Sequence, residues 1–338
     1  MGIDFKSLIQ YSLSLLLAAA LFAYVYGHRE LSDFWPDTAL VRWEWIVLSF
    51  LFAMLSHLSR AWRWVIALRP LGYRSSLGSA FVAVMISHLA NLVIPRMGEF
   101  SRCAVLQKSE NVPFTVSFGT VVTERVIDLL FLVLIICLTL VLEFSRVGQF
   151  VLEQIGAQED AFRQKLLLAG VTVLLLGLGL GVVYLFRERL SRVSILAKGI
   201  SFLRGMRLGL LSVLHMEASL LWQYLLHSFL IWFLYFLMTY ILFPALPATE
   251  DLGLSAGFVV LMMGSFGMLM PVQAGIGFYH LFVSVGVAAF GVGRADAEDF
   301  AFLIHGSQTL GVVAVGGICL LVSIIQKKKL KTDNPPVR

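Results

Sequence analysis

The chain has 338 residues, 59% of them hydrophobic and only 14% charged, with a mean hydropathy of +0.86. A soluble domain carries about 25% charged residues, so this composition excludes one and points to a protein that crosses the bilayer several times. The net charge of +5 and pI near 9.2 then report membrane topology rather than a nucleic-acid partner, because Lys and Arg collect on the cytoplasmic side of membrane proteins.

In chain order, the apolar run at residues 8–26 continues well past Ala18, Ala19 and Ala20, the small residues a signal peptidase would favour, so it reads as an uncleaved span. Residues 43–64 form a second span. Trp43 and Trp45 mark one end, Trp62 and Trp64 the other; at 1.5 Å per residue the pairs sit about 28 Å apart, matching tryptophan belts on either side of a hydrocarbon core. On that reading Arg60, Arg63, Arg69 and Arg74 make a basic cytoplasmic end. Residues 80–94 would pass for most of a third span, but the run breaks at Pro95 and places Arg96, Glu99 and Arg102 directly after it. Proline removes a backbone donor, and Gly98 lets the chain turn. Residues 114–142 are a long apolar helix interrupted by Glu124, Arg125 and Asp128.

Further spans follow at 166–186 and 220–243. Between them, residues 187–214 alternate basic and apolar side chains, as a basic amphipathic helix on the cytoplasmic membrane surface does. The apolar run at 254–270 breaks at Pro271, with Gly275 and Gly277 close behind, and resumes at 278–290. Residues 300–325 are the last span. Residues 326–338 form a basic cytoplasmic tail expected to be disordered. Cys103, Cys137 and Cys319 are far apart and read as buried thiols.

If both proline-broken stretches dip into the membrane and return, six full spans remain and both termini are cytoplasmic. Most Lys and Arg then lie inside and most acidic residues outside, as the positive-inside rule requires. The two breaks also align: Ala80-Phe-Val-Ala-Val-Met up to Pro95 matches Gly257-Phe-Val-Val-Leu-Met up to Pro271, with a one-residue gap. Each has two spans before it and one after, so halves at about 8–142 and 166–325 would be inverted copies within one transmembrane domain. The expected fold is an all-α polytopic membrane protein with six spans and two re-entrant hairpins in an inverted repeat. Matched interrupted segments point to a transport site near the midplane.

Irregular backbone at membrane depth survives only beside protein or a wet cavity, and its unpaired N–H groups suit anions. Arg96 and Arg102 add formal charge able to grip a phosphate. Glu99 pairs with an arginine or titrates as a gate. Glu124 and Asp128 share one helical face with Arg125 nearby, so all three must face the protein interior, as ligand-site residues or as a salt-bridge network to the 96–102 segment. Asn91 braces the break or contacts substrate. Gln273, Gly275, Gly277 and His280 are the matching candidates on the second hairpin, with His305 and Gln308 as hydrogen-bonding groups in the last span. There is no nucleotide-binding glycine loop, nucleophile elbow or paired metal-ligand spacing, and no room for a soluble catalytic domain.

The pattern Asn91-x3-Pro95-Arg96-x-Gly98-Glu99-x2-Arg102, followed by Glu124-Arg125-x2-Asp128, resembles the transmembrane part of lysylphosphatidylglycerol synthases, the flippase-like membrane family. Pro271-x3-Gly275-x-Gly277 resembles its second motif, and the likeness runs over residues 8–325. The resemblance implies movement of lipids, notably aminoacylated phosphatidylglycerol, across a bacterial or archaeal cytoplasmic membrane. It implies no aminoacylation, because the aminoacyl-transferase domain is not in this sequence. The family tends to carry two glycines at 274–275 and an acidic residue near 280, where this chain has Ala274, Gly275 and His280, a departure that bears on the head group. The expectation is a lipid translocator and not an enzyme, without cofactor or metal, whose partners are membrane lipids with anionic head groups. Arg96, Arg102 and Arg125 would hold phosphate, while Glu99, Glu124 and Asp128 position them or couple protons. Movement would be facilitated, ion-coupled or dependent on a partner, either a second copy of the chain or a lipid-synthesising enzyme. The alternatives are an integral-membrane enzyme acting on a lipid head group and a small-solute or ion carrier.

Overall fold

The computed structural model describes residues 41–143, 212–213 and 216–333, the last eight as backbone alone. The spans expected at 8–26 and 166–186, and all but residues 212–213 of the amphipathic segment, lie outside the described residues. These contain eight α-helices and no strand: α1 (Trp43–Leu68), α2 (Leu77–Val93), α3 (Met97–Glu110), α4 (Phe114–Leu142), α5 (Ala218–Tyr240), α6 (Leu254–Leu269), α7 (Phe278–Ala288) and α8 (Arg294–Asp333). Helices α1, α4, α5 and α8 are long and apolar enough to cross a membrane. The protein is an all-α, multi-pass membrane protein.

The remaining four helices are too short to span, and they fold back in pairs. Ser76 caps α2 by accepting from the Ser79 amide at 3.1 Å, as helix starts favour. The helix ends at Val93, just before Pro95. Helix α3 then returns along α2: a Cβ on Gly98 would sit 2.6 Å from the Ser87 carbonyl and 2.5 Å from the Asn91 amide nitrogen. The second pair closes the same way. A Cβ on Gly267 would meet the Tyr279 backbone at 2.6 Å, and one on Gly286 would touch Met263 and Val259. In both hairpins glycine is needed because one backbone lies against the other.

The hairpins enter from opposite ends of α1. The first packs its base, with Ala80, Leu106 and Val112, against Trp64 and Leu68 at the C-terminal end of α1. Ser76 Oγ donates to Glu110 Oε1 at 2.9 Å, so both arms begin and end together there. The second packs Ala256 and Val287 into a cluster with Val41 and Phe300, and with Trp45 beside them, at the N-terminal end of α1. The tips touch midway: Arg96 Nη2 donates to the Leu269 carbonyl at 2.6 Å.

Outward faces are apolar, with Val126, Leu129, Leu130, Val133 and Leu134 of α4 exposed. Such a surface needs lipid rather than water around it. Cys103 and Cys319 are buried as expected, but Cys137 is exposed on α4, because its position in the helix turns it outward. Hydroxyls inside the helices donate to carbonyls one turn back, as Thr139 does to Ile135 and Ser228 to Tyr224, leaving few polar groups to face lipid. The basic tail also differs from expectation. Helix α8 continues to Asp333, because lysines are good helix formers and the first proline comes only at Pro335.

Candidate functional site

Glu124 and Asp128 lie four residues apart on α4 and so share one face, turned inward. Asp128 accepts from two arginines of α1: Arg63 Nη1 at 2.7 Å on Oδ1 and Arg60 Nη1 at 3.2 Å on Oδ2. Glu124 Oε2 accepts from Arg102 Nη2 of α3 at 2.8 Å and has Arg63 Nη2 3.7 Å away. The network therefore clamps α1, α3 and α4 together. Arg63 and Glu124 are fully buried there, and Arg102 nearly so.

Aromatic rings complete the arginines' surroundings. The Arg102 guanidinium lies 4.8 Å from the Trp64 ring centroid, and Trp64 Nε1 donates to Thr120 Oγ1 at 3.0 Å. Arg63 lies over Tyr224 and donates to Ser228 Oγ, while Arg60 Nη2 donates to Tyr235 Oη at 2.7 Å, tying α5 into the same network. Buried ions are tolerated only when paired and hydrogen-bonded in this way.

Arg60 and Arg63 are what sequence reasoning missed. It assigned them to a cytoplasmic basic end because the Trp62 and Trp64 pair looks like an interfacial belt. Trp62 is indeed exposed, but Trp64 is completely buried. The available signal was the three-residue spacing of Arg60 and Arg63 together with Ser56, His57 and Ser59, a polar stripe inside an apolar helix.

Arg125 behaves differently from the buried arginines. Its side chain is 46% exposed, and its nearest carboxylates are Asp128 at 3.7 Å and Glu99 at 3.9 Å, both beyond hydrogen-bond range. Four guanidinium groups (Arg60, Arg63, Arg102, Arg125) face three carboxylates (Glu99, Glu124, Asp128), which leaves one positive charge uncompensated. Arg125 opens outward, beside exposed Val126 and Leu129. Met97 and Phe100 of α3 are also exposed.

The other expected site residues fall in two places. Asn91 is a brace: its Oδ1 accepts from the Gly98 amide at 2.6 Å, closing the first hairpin. Arg96 adopts a left-handed backbone (φ 65°), uncommon for any residue but glycine, and this aims its exposed guanidinium at the second hairpin. There, Ala274, Gly275 and Gly277 all have positive φ. His280 Nδ1 accepts from the Gly277 amide at 3.2 Å, and His305 Nε2 lies 2.9 Å from the Ala274 carbonyl. Gln273 is buried in the same turn, which packs against α2. Glu99, Arg102, Glu124, Arg125 and Asp128 are thus brought together. Gln273, Gly275, Gly277 and His280 build the opposing tip, and the bond from Arg96 to the Leu269 carbonyl joins the two hairpins.

Comparison with known proteins adds to this geometry. The family model for the lysylphosphatidylglycerol synthase TM region matches residues 11–316. The UPF0104 membrane protein MJ1595 of Methanocaldococcus jannaschii is 31% identical over 126 residues, 36% of this chain and 36% of that protein. Glycosyltransferase AglD of Haloferax volcanii is 42% identical over 64 residues, 19% of this chain and 10% of that one. The matched stretches span about a third and a tenth of these relatives' lengths. No solved structure matches. The family match covers both hairpins and every arginine and carboxylate of the central network, and the chain belongs to the lysylphosphatidylglycerol synthase TM region family.

Proposed function

We propose that this protein moves a lipid with an anionic head group across the cytoplasmic membrane. One observation carries the reading: Arg125 is half exposed and short of a hydrogen-bonded carboxylate, beside exposed apolar side chains of its own helix. A half-exposed guanidinium held only by long ion pairs, beside an apolar face, suits an amphiphile, with phosphate on the arginine and acyl chains along the helix. Arg96, also exposed, offers a second donor at the point where the hairpins touch. Arg102 has a different part. With Glu124 and Trp64 occupying it, this residue fixes α3 in position. Entry of the hairpins from opposite ends supports alternate access to a midplane site. Lys and Arg distribution supports cytoplasmic termini.

No chemical change to the lipid is part of this reading. The relative named as a glycosyltransferase matches over a tenth of its own length, too small a piece to bring transfer chemistry with it. Mass spectrometry of lipids co-purified with the protein tests the proposal. We expect intact anionic phospholipid enriched over its membrane abundance, and a roughly tenfold loss of it in Arg125→Ala, the size expected for losing a charge-assisted contact. Zwitterionic and anionic lipids recovered in membrane proportions would contradict the reading. Chemically altered lipid after incubation would favour an enzyme instead.

A further inference from the structure

The bond that joins the two hairpins differs from the bonds that shape each one. The first tip is closed from within, by Asn91 Oδ1 accepting from the Gly98 amide at 2.6 Å. The second is closed by His280 Nδ1 accepting from the Gly277 amide at 3.2 Å, and by His305 of α8 at the Ala274 carbonyl. Each tip therefore has braces of its own. Between them runs the bond from Arg96 Nη2 to the Leu269 carbonyl, 2.6 Å long and exposed. Packing of the 273–275 turn on α2 keeps the hairpins neighbours, but at Arg96 a formal charge reaches across.

Residues 254–290 contain no Asp, Glu, Lys or Arg. The second hairpin can offer Arg96 a dipole but no opposite charge. What it offers is the carbonyl of Leu269, the last residue of α6, at the helix end where the macrodipole is negative and carbonyls lack intrahelical partners. Arg60, Arg63 and Arg102 each pair with a carboxylate; among the described residues Arg96 has the Leu269 carbonyl instead. A phosphate is the stronger partner. Its oxygens are charged and can take two parallel bonds from the guanidinium, where the Leu269 carbonyl takes one. Arg96 also holds a left-handed backbone, φ 65°, which persists in a residue other than glycine where the surroundings over-determine it. The tie to Leu269 is one such constraint.

We infer that Arg96 is a latch: the phosphate of an incoming head group takes its guanidinium from the Leu269 carbonyl and so unties the two tips. The inference rests on the head-group reading above and gives Arg96 a part in it beyond that of a second donor. A ligand shifts a conformational equilibrium only by binding its two states differently. A head group that gains Arg96 in the untied state alone favours that state by the worth of the contact. Because the hairpins enter from opposite ends, untying their tips loosens the midplane when a lipid is there to fill it.

The test reads the tips directly. With Cys103, Cys137 and Cys319 replaced, Val93→Cys on the first tip and Met268→Cys on the second, both exposed positions, carry pyrene maleimide in the full chain in detergent. Dihexanoyl phosphatidylglycerol is titrated in, and calorimetry follows its binding in parallel. We expect excimer emission from the closed tips and its loss as the lipid saturates. In Arg96→Gly, which accepts the left-handed backbone without the guanidinium, excimer emission should be reduced from the outset and should not respond to lipid. Should that variant fail to fold, Arg96→Asn, which also tolerates this backbone, takes its place, and the wild-type titration needs no variant. Glycerophosphoglycerol, the same head group without chains, separates the sources of phosphate: loss with both ligands supports release by the phosphodiester alone, loss with the acylated ligand alone supports release by a lipid, and either upholds the latch. Binding with the excimer unchanged, or a wild-type loss in Arg96→Gly, overturns the latch and leaves the head-group reading standing. Absence of excimer emission before ligand overturns the closed tips that the latch requires. No binding overturns both.

Discussion

Asp128 holds two arginines of another helix at once, and this fixes what its loss would do. Removing one partner of a buried pair leaves the other uncompensated, at about 3–5 kcal/mol. Arg63→Leu, which strips Asp128 of its 2.7 Å bond and Glu124 of its second guanidinium, should therefore lower thermal stability in detergent by about that much. Because Asp128 also holds Arg60, Arg63→Leu combined with Asp128→Leu should cost less than the sum of the two single losses; an additive loss in the double variant would show that the two do not act as a pair. At this scale the sequence was legible where charge stood inside an unbroken apolar run. Glu124 and Asp128 have no place on a lipid-facing surface, so their inward direction follows from energetics alone; Arg125, expected inside by the same reasoning, opens outward instead. Arg60 and Arg63 were not legible, because the tryptophan pair interleaved with them, Trp62 and Trp64, imitates an interface. Only the packing of Trp64 between Thr120 and Arg102 distinguishes the two cases.

Each hairpin depends on a glycine that lets two helices touch. Gly98→Ala pushes a methyl into the Ser87 carbonyl and the Asn91 amide, and Gly267→Ala pushes one into the backbone of Tyr279. Both should destabilise by about 1–3 kcal/mol, the usual range for overpacking. Gly317→Ala in α8 meets nothing within 4 Å and should be neutral or stabilise by up to about 1 kcal/mol through better helix propensity. Thermal unfolding of the three variants side by side checks the contrast. Equal effects would mean that the helices do not approach as described. The proline breaks that create these elements were readable from Pro95 and Pro271. What closes them was not. Asn91 reaching seven residues forward is a local bond, but His305 reaching Ala274 across 31 residues depends on how α8 packs.

For the molecule as a whole, the consequence of two hairpins with bases at opposite ends is access from opposite sides. With the three native cysteines replaced, Lys108→Cys at the base of the first hairpin and Asp251→Cys before the second should react with an impermeant maleimide from opposite faces of the membrane. Labelling of both from one face would contradict the arrangement. The most direct measurement for the central proposal is transfer of fluorescent phosphatidylglycerol between leaflets of proteoliposomes, read by dithionite quenching. The account predicts transfer above protein-free vesicles, a fall of about tenfold in Arg125→Ala, and little movement of fluorescent phosphatidylcholine. Transfer by Arg125→Ala at the wild-type rate, or none above protein-free vesicles, would contradict it.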